Sequence, residues 1–91
     1  MNLDKVNSAF EAACIAVKTL TKRPTDEELL ELYAFYKQST EHDNMNDEPG
    51  FFEFTAHKKW KAWKNLEGQD SNTMKLMYIR KVQHLMQKYN N

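Results

Sequence analysis

Apolar residues recur at helical spacing along most of this chain. In the first segment the intervals are four, three, four and three residues, at Val6, Phe10, Ala13, Val17 and Leu20. The last segment repeats such intervals at Met74, Tyr78, Val82, Leu85 and Tyr89. Each set draws one apolar stripe along a helix. With two glycines and two prolines among 91 residues, the chain also lacks the turn residues that a β-sandwich or barrel requires. The pattern predicts an all-α fold.

Local signals set the bounds of the first two helices. The first is predicted from about Asp4 to Leu20, and it ends before Pro24 because proline disfavours a helical conformation in the preceding residue. The second starts at a capping box in 25–28, where a threonine is followed three residues later by a glutamate. It is predicted to continue to about Thr40 or Glu41.

The second half of the chain contains a long polar loop and two more helices. The loop over residues 41–50 is long enough to be a crossover connection rather than a tight turn. The third helix is predicted from about Phe54 or Thr55 to Glu67, with Gly68 as a left-handed cap. Trp60 and Trp63 lie on this helix, and we expect both to be largely buried in the core.

The fourth helix is predicted to begin after a cap at Asp70 or Ser71 and to continue to the end of the chain. No internal repeat, low-complexity tract or linker separates the four segments. Residues 1–91 are therefore predicted to form a single domain with four helices around one small core.

Charge and cysteine content exclude several classes of protein. Thirteen basic and thirteen acidic residues cancel, so no bulk positive field is present to hold a long nucleic acid. Cys14 is the only cysteine and cannot form an intrachain disulfide, which fits a reducing compartment. Residues 1–5 lack the apolar stretch of a signal peptide. Because no apolar run approaches the roughly 18 residues of a membrane span, we expect a cytoplasmic protein without stable membrane insertion.

The sequence contains no catalytic constellation. Cys14 lies beside Ala13 on the apolar side of the first helix, and we expect it to pack as a small hydrophobic residue. The histidines, at positions 42, 57 and 84, stand on different elements and have no metal-ligand spacing. No glycine-rich phosphate loop is present. We therefore predict neither enzymatic activity nor a metal ion nor a cofactor.

Tyrosines and lysines cluster on the second helix and recur on the third and fourth. Tyr33, Tyr36 and Lys37 share one helix face, since they are separated by three and four residues. Lys59 and Tyr78 add the same residue types farther along. These residues could be core aromatics with lysine heads snorkelling at the rim. From the residues alone this core reading is favoured; the alternative is a rim site, where aromatic rings and point charges hold a phosphorylated, ring-containing ligand.

Several blocks of this chain resemble the acyl-CoA-binding protein family. Residues 33–40, with the sequence YAFYKQST, are followed by Asp43, as in the family signature. Pro49-Gly50, Phe54 and the run KKWKAW over residues 58–63 resemble its second block. Further matches extend the resemblance from Phe10 to Tyr89 without a gap, so it covers nearly the whole chain.

The resemblance implies a fold and a function. The fold is an antiparallel four-helix bundle of up-down-down-up arrangement. The function is one-to-one binding of medium- and long-chain acyl-CoA esters by an intracellular carrier and pool former in lipid metabolism, which catalyses nothing. A monomer is expected, and transient contact with a membrane surface stays open.

The resemblance also assigns the ligand site residue by residue. It implies that Tyr36 stacks on the adenine ring, and that Tyr33, Lys37 and Lys59 hold the ribose 3′-phosphate. In addition, Tyr78 completes the nucleotide site and Lys18 contributes charge from the first helix. Leu29 and Leu30 take the family's apolar positions near the acyl chain.

Four positions depart from the family pattern. His42 replaces a glycine, and it would be strained if the backbone there needs a positive φ. Ala56 and His57 replace Gly-Lys, which weakens one positive charge at neutral pH. Cys14 occupies a position beside the ligand groove that is usually a small residue, often alanine. These differences bear on affinity and chain-length preference.

A helical protein-interaction module is the alternative function. Such a domain binds a partner helix in an apolar groove, and methionines such as Met74, Met77 and Met86 would supply an adaptable surface. Salt and ligand discriminate the two functions: a site for CoA phosphates weakens as salt rises, whereas an apolar groove does not.

Overall fold

Four α-helices form the regular structure of residues 2–89, the part of the chain that the computed structural model describes. They are α1 (Leu3–Ala16), α2 (Asp26–Glu41), α3 (Phe54–Lys64) and α4 (Ser71–Tyr89). A 3₁₀ turn, Val17–Thr19, continues α1. Residues 2–89 contain no strand, which confirms the all-α prediction. Positions 1, 90 and 91 of the predicted domain lie outside the described residues.

Helix starts follow the predicted caps. The Thr25 hydroxyl accepts the Glu28 backbone N–H at 3.1 Å, and the Glu28 carboxylate accepts the Thr25 N–H at 2.9 Å. This reciprocal pair is the capping box of α2. At the start of α4 the Asp70 carboxylate accepts the Thr73 N–H at 3.0 Å, so Asp70 is the cap and Ser71 the first helical residue.

Two helices end earlier than their apolar stripes predict. α1 stops at Ala16, and the stripe continues through the tighter 3₁₀ turn. α3 stops at Lys64 because the next amides bond three residues back, from Leu66 N–H to the Trp63 carbonyl and from Glu67 N–H to the Lys64 carbonyl. Gly68 then adopts φ 84°, which confirms its left-handed capping role.

Cross-helix contacts fix the directions of the helices on either side of α4. Near the starts of α4 and α1, the Lys75 ammonium donates to the Asn7 side chain at 2.8 Å. At the other end, the hydroxyl of Thr21, which follows α1, donates to the carbonyl of Tyr89, the last residue of α4, at 2.8 Å. α1 and α4 therefore run parallel. In contrast, the Ser71 hydroxyl at the start of α4 donates to the Ser39 carbonyl near the end of α2 at 2.6 Å, so these two helices are antiparallel.

α3 runs parallel to α2. Lys59 lies over the ring of Tyr33, and one turn farther along both helices Lys37 lies over the ring of Trp63. Together with the directions of α1 and α4, this establishes the up-down-down-up arrangement. The predicted architecture is confirmed.

The core lies along α4, which packs against both α1 and α2. Leu85 is fully buried and Val82 nearly so, and the remaining buried members of this cluster are Phe10, Ala13, Leu32 and Tyr78. The backbones of α1 and α2 are not in contact. Their side chains meet instead at the stacked rings of Phe10 and Tyr36, which leaves a space between the two helices.

Buried polar groups anchor the loop 42–53 between α2 and α3. The Asp43 carboxylate accepts the Gly68 N–H at 2.7 Å and the Gln38 amide at 2.8 Å. These hydrogen bonds lower the pKa of Asp43, the Gly68 N–H contributing most. The fully buried Asn44 side chain donates to the Trp60 carbonyl at 3.0 Å. The crossover is therefore fixed to α3 and to the turn that follows it, which holds α3 against α2.

The two tryptophans of α3 occupy different environments. Trp63 is 4% exposed and its indole N–H donates to the His42 carbonyl at 2.8 Å, so its predicted burial is confirmed. Trp60 is only partly buried, and its indole N–H donates to the Asn46 carbonyl at 2.8 Å. Trp60 supports the loop rather than the core, because that carbonyl offers its polar edge a partner at the surface.

No helix within residues 2–89 combines the length and the hydropathy that crossing a bilayer would require.

Candidate functional site

Two lysines flank the ring of Tyr33 where α2 faces α3. Tyr33 and Lys37 are one turn apart on α2, and the parallel α3 brings Lys59 to the same ring. The Lys37 Nζ lies 5.9 Å and the Lys59 Nζ 5.4 Å from the centre of the Tyr33 ring. Both separations allow a cation–π interaction. The structure thus brings together three of the predicted site residues, from two helices.

Lys37 is held as a cation. Its ammonium forms an ion pair with Glu41 one turn later on α2, and this hydrogen bond is the main reason that the pKa of Lys37 is raised. The same ammonium lies 5.4 Å from the ring centre of Trp63. Because the Glu41 carboxylate is half exposed, an incoming phosphate can take its place beside Lys37 at little cost in desolvation.

A groove of about 520 Å³ opens between α2 and α3 beside this cluster. Its walls carry both apolar and charged side chains: Arg23, Asp26, Leu29, Leu30, Tyr33, Thr55, Lys58 and Lys59. Four of these, Leu29, Leu30, Tyr33 and Lys59, are predicted site residues. A groove of mixed lining suits a ligand with an alkyl part and an anionic part.

Four of the lining residues were not predicted as site residues from the sequence: Arg23, Asp26, Thr55 and Lys58. Lys58 precedes Lys59 directly, and Thr55 lies one turn before Lys59, so both could have been found from helical spacing. Arg23 carries no such signal, because it lies in the connection before α2 and forms an ion pair with Asp26 at 3.0 Å.

At the other end of the site, the rings of Tyr36, Phe10 and Tyr78 form an aromatic platform. The Tyr36 ring centre is 5.9 Å from that of Phe10, with an interplanar angle of 22°, and 6.1 Å from that of Tyr78. The Tyr36 side chain is nevertheless 42% exposed. A ring that is supported from below and open to solvent is a stacking surface for a planar ligand group. Phe10 was assigned from its spacing to the core alone, and its part in this platform is new.

Tyr78 is a buried member of this platform. Its ring packs edge-on against Phe10 at 5.1 Å. Burial raises the pKa of Tyr78, and the neighbouring Cys14 thiol adds to this effect, so the phenol is neutral. Cys14 is partly buried against the core, which agrees with its predicted packing as a small hydrophobic residue. Tyr78 therefore reaches the exposed part of the site only through the ring of Tyr36.

Lys18 lies apart from the lysine–tyrosine cluster. It is exposed in the 3₁₀ turn after α1, and within residues 2–89 it shares no ion pair or ring contact with the other predicted residues. Lys18 follows Phe10 and Cys14 at intervals of four along the chain, but it lies in the 3₁₀ turn beyond the end of α1 at Ala16.

The remaining polar departures do not form a metal site. The His57 Nε2 is 2.6 Å from the Glu48 carboxylate, and the His57 ring lies 6.3 Å from that of Trp60. Among residues 2–89, no three side chains of His, Cys, Asp or Glu type are grouped so as to hold a metal ion.

Comparison with known proteins places this arrangement in context. The family model described as Acyl CoA binding protein matches residues 7–82. The chain is 43% identical over 84 residues to the acyl-CoA-binding protein of Saccharomyces cerevisiae, covering 92% of this chain and 97% of that one. Identity to the acyl-CoA-binding protein homolog of Drosophila melanogaster is 42%, covering 92% and 98%. The crystal structure of Oryza sativa acyl-CoA-binding protein 2 superposes with a TM-score of 0.88 at 33% identity, covering 92% of this chain and 91% of that one.

Proposed function

Since the chain belongs to the acyl-CoA-binding protein family, we propose that it binds medium- and long-chain acyl-CoA esters and carries them inside the cell for lipid metabolism. One observation supports this most directly. The ring of Tyr33 is flanked by the ammonium groups of Lys37 and Lys59 at the edge of a groove that Leu29 and Leu30 line. Charge and apolar surface thus adjoin, as an acyl-CoA ester requires.

The lysine–tyrosine cluster binds the ribose 3′-phosphate. Lys37 and Lys59 are compact cations whose hydrogen bonds to a phosphate are charge-assisted, and the Tyr33 hydroxyl adds a donor. Lys18 contributes a further positive charge from the side of α1. Because these side chains belong to different elements, they converge only in the folded protein.

Tyr36 stacks on the adenine ring. Stacking of a base on an aromatic side chain contributes about 1–3 kcal/mol, and Phe10 and Tyr78 hold the Tyr36 ring in position from below. Tyr78 completes the nucleotide site as a positioning residue, because its buried ring supports that of Tyr36.

The acyl chain occupies the groove beside Leu29 and Leu30. Each methylene removed from water contributes up to about 0.8 kcal/mol, so affinity rises with chain length until the groove is filled. Short acyl chains therefore bind weakly, and free CoA binds more weakly still.

The protein acts by binding, without catalysis. We assign residues 1–91 to one acyl-CoA-binding domain and place its activity in the cytoplasm, where a chain with a single cysteine is not called on to form an internal disulfide.

Isothermal titration with palmitoyl-CoA below its micelle concentration tests this function, with free CoA and dephospho-CoA as comparators. We expect one-to-one binding that weakens without the acyl chain and weakens again without the 3′-phosphate. Raising the salt concentration should also weaken binding. The absence of any heat or competition would contradict the proposal and favour the protein-interaction module instead.

A further inference from the structure

Three phenylalanines project into solvent at the start of α3. Phe51, Phe52 and Phe54 are 74%, 78% and 69% exposed. The rings of Phe51 and Phe52 contact each other, with their centres 4.1 Å apart. The chain has five phenylalanines in all, so more than half of them lie at one surface position instead of in the core. Contiguous exposed apolar surface of this kind marks an interaction site.

Positive charge adjoins these rings along α3. This helix contains four lysines and no acidic residue. Lys58 and Lys61 follow Phe54 at intervals of four and seven, which places them on its helix face. Both are exposed, and neither forms an ion pair with another residue in 2–89. We call Phe51, Phe52, Phe54, Lys58 and Lys61 the aromatic–lysine patch.

Two of the three acidic residues near the patch form hydrogen bonds or ion pairs within the same region of the chain. The Glu53 carboxylate accepts the Gly50 N–H at 2.9 Å, and the Glu48 carboxylate is bound to His57. Asp47 is exposed in the same loop. Two of these three carboxylates are thus engaged within the loop, whereas the lysine heads of the patch are available for an external anion.

We propose that the aromatic–lysine patch docks the protein on an anionic lipid surface. The phenylalanine rings enter the interfacial region of the bilayer, and the two lysines contact anionic headgroups. A surface that combines a few projecting aromatic side chains with unpaired lysines matches this partner in both hydrophobicity and charge.

The patch lies at one end of the groove. Phe54 directly precedes Thr55, which lines the groove together with Lys58. Docking through the patch therefore presents that end of the groove to the membrane, where an acyl chain can pass between bilayer and protein. This consequence rests on the proposed function; the docking itself does not.

Cosedimentation with lipid vesicles tests the proposal. The full chain without ligand is mixed with vesicles of phosphatidylcholine alone or with added phosphatidylserine. We expect binding to the anionic vesicles that decreases with salt. The variant Phe51→Ser/Phe52→Ser should lower the partition coefficient at least about tenfold, and Lys61→Gln should lower it about fivefold on anionic vesicles only. Met45→Ser is the matched control, because Met45 is an exposed apolar residue of the same loop outside the patch; it should bind as the wild type does.

Three results would overturn the proposal: no binding of the wild type to anionic vesicles, equal binding by the double phenylalanine variant, or an equal loss in Met45→Ser. Sedimentation velocity adds a fourth. If the wild type forms a dimer that the double variant abolishes, and neither binds vesicles, then the patch joins two copies of the chain. Titration of the double variant with palmitoyl-CoA separates this test from that of the proposed function, since Phe51 and Phe52 lie outside the groove and one-to-one binding should persist.

Discussion

The two sides of α2 differ in what they contact. Toward α4, the helix presents Glu28, Leu32 and Ser39, which are all buried. Toward α3, it presents Leu30, Tyr33 and Lys37, which remain partly exposed. The spacings of four and seven within each set assign them to two faces of one helix. One face carries the stability of the fold, and the other carries the groove.

The difference lies in how each interface treats polar groups. On the α4 side, polar groups form hydrogen bonds at both ends of the interface. Glu28 accepts hydrogen bonds from Lys88 and Tyr89 at one end, and the Ser71 hydroxyl donates to the Ser39 carbonyl at the other. On the α3 side, Lys37 and Lys59 lie over aromatic rings, and the partner of Lys37 is the half-exposed Glu41 of the same helix. A tightly paired interface leaves no capacity for a ligand, whereas cations placed over aromatic rings keep their hydrogen-bonding capacity for an incoming anion.

The largest effect is expected where α3 joins the core. Trp63→Ala should lower the free energy of unfolding by roughly 3–5 kcal/mol, because a buried aromatic side chain and its hydrogen bond to His42 are both lost. Trp60→Ala is the matched variant and should lose about 2 kcal/mol, since Trp60 is only partly buried. Chemical denaturation measures both values. Equal losses would show that both tryptophans belong to the core.

The next effect concerns the groove side alone. The double variant Lys37→Ala/Lys59→Ala should weaken palmitoyl-CoA binding about 100-fold, on the order of 3 kcal/mol, because two charge-assisted hydrogen bonds are removed. Its unfolding free energy should change little, since exposed ion pairs contribute little to stability. Lys81→Ala serves as control, because Lys81 pairs with Glu31 at 3.2 Å on the α4 side. Unchanged affinity in the double variant would contradict the site assignment.

The third effect is pH-dependent and belongs to the α4 side. The pKa of Glu28 is lowered from 4.5 to about 2, chiefly by the Tyr89 hydroxyl and then by the Thr25 N–H. A lowered folded-state pKa gives stability that is fully present above pH 4.5 and is lost as pH falls toward about 2. Denaturation across this window should show the loss in the wild type.

Glu28→Gln should remove that contribution, leaving a flatter profile whose remaining slope comes partly from Asp43, whose pKa is also lowered. Tyr89→Phe should lose less stability over this window, and its loss should end at a higher pH than in the wild type, because the largest cause of the lowered Glu28 pKa is absent. Identical slopes in wild type and Glu28→Gln would show that this carboxylate is not stabilised by folding.

The helices, the core and part of the candidate site could be predicted from the sequence, because they depend on residues only three or four positions apart. The capping box at Thr25 and the apolar stripe of α4 act over three to four residues, so the helices and the core were predictable. So was the shared face of Tyr33 and Lys37, because one turn of helix dictates it. Their roles toward a ligand came from the family resemblance.

Tertiary contacts explain what the sequence could not show. Lys59 reaches Tyr33 only because α3 is parallel to α2, and this depends on the loop contacts of Asp43 and Asn44. Trp60 and Trp63 are three residues apart and have the same periodicity; their burial and their partners, the Asn46 and His42 carbonyls, distinguish them. The exposed phenylalanines of the patch likewise look like core residues until the fold places them outside.

The smallest effect tests the strained end of α2. His42 has φ 66° and ψ −144°, a region that residues with a Cβ rarely adopt. His42→Gly should stabilise the fold by about 1 kcal/mol, because relief of the backbone strain exceeds the added entropy of glycine in the unfolded chain. His42→Ala separates the two contributions: it removes the imidazole and keeps the strain, so it should not stabilise.

Gly68→Ala is the reciprocal variant and should destabilise the fold by about 1 kcal/mol, since φ is 84° there. Apart from the neighbouring residues, no atom lies within 4 Å of the Cβ that alanine would add, so the loss would report backbone strain and not a steric clash. Urea denaturation measures these stabilities, and a loss of stability in His42→Gly would mean that contacts of the imidazole outweigh the strain.

Because the Asp43 carboxylate joins the bend at His42 to the Gly68 N–H, both positions bear on how firmly α3 is held against α2. Palmitoyl-CoA affinity should therefore fall together with stability in Gly68→Ala, where the strained backbone loosens that joint.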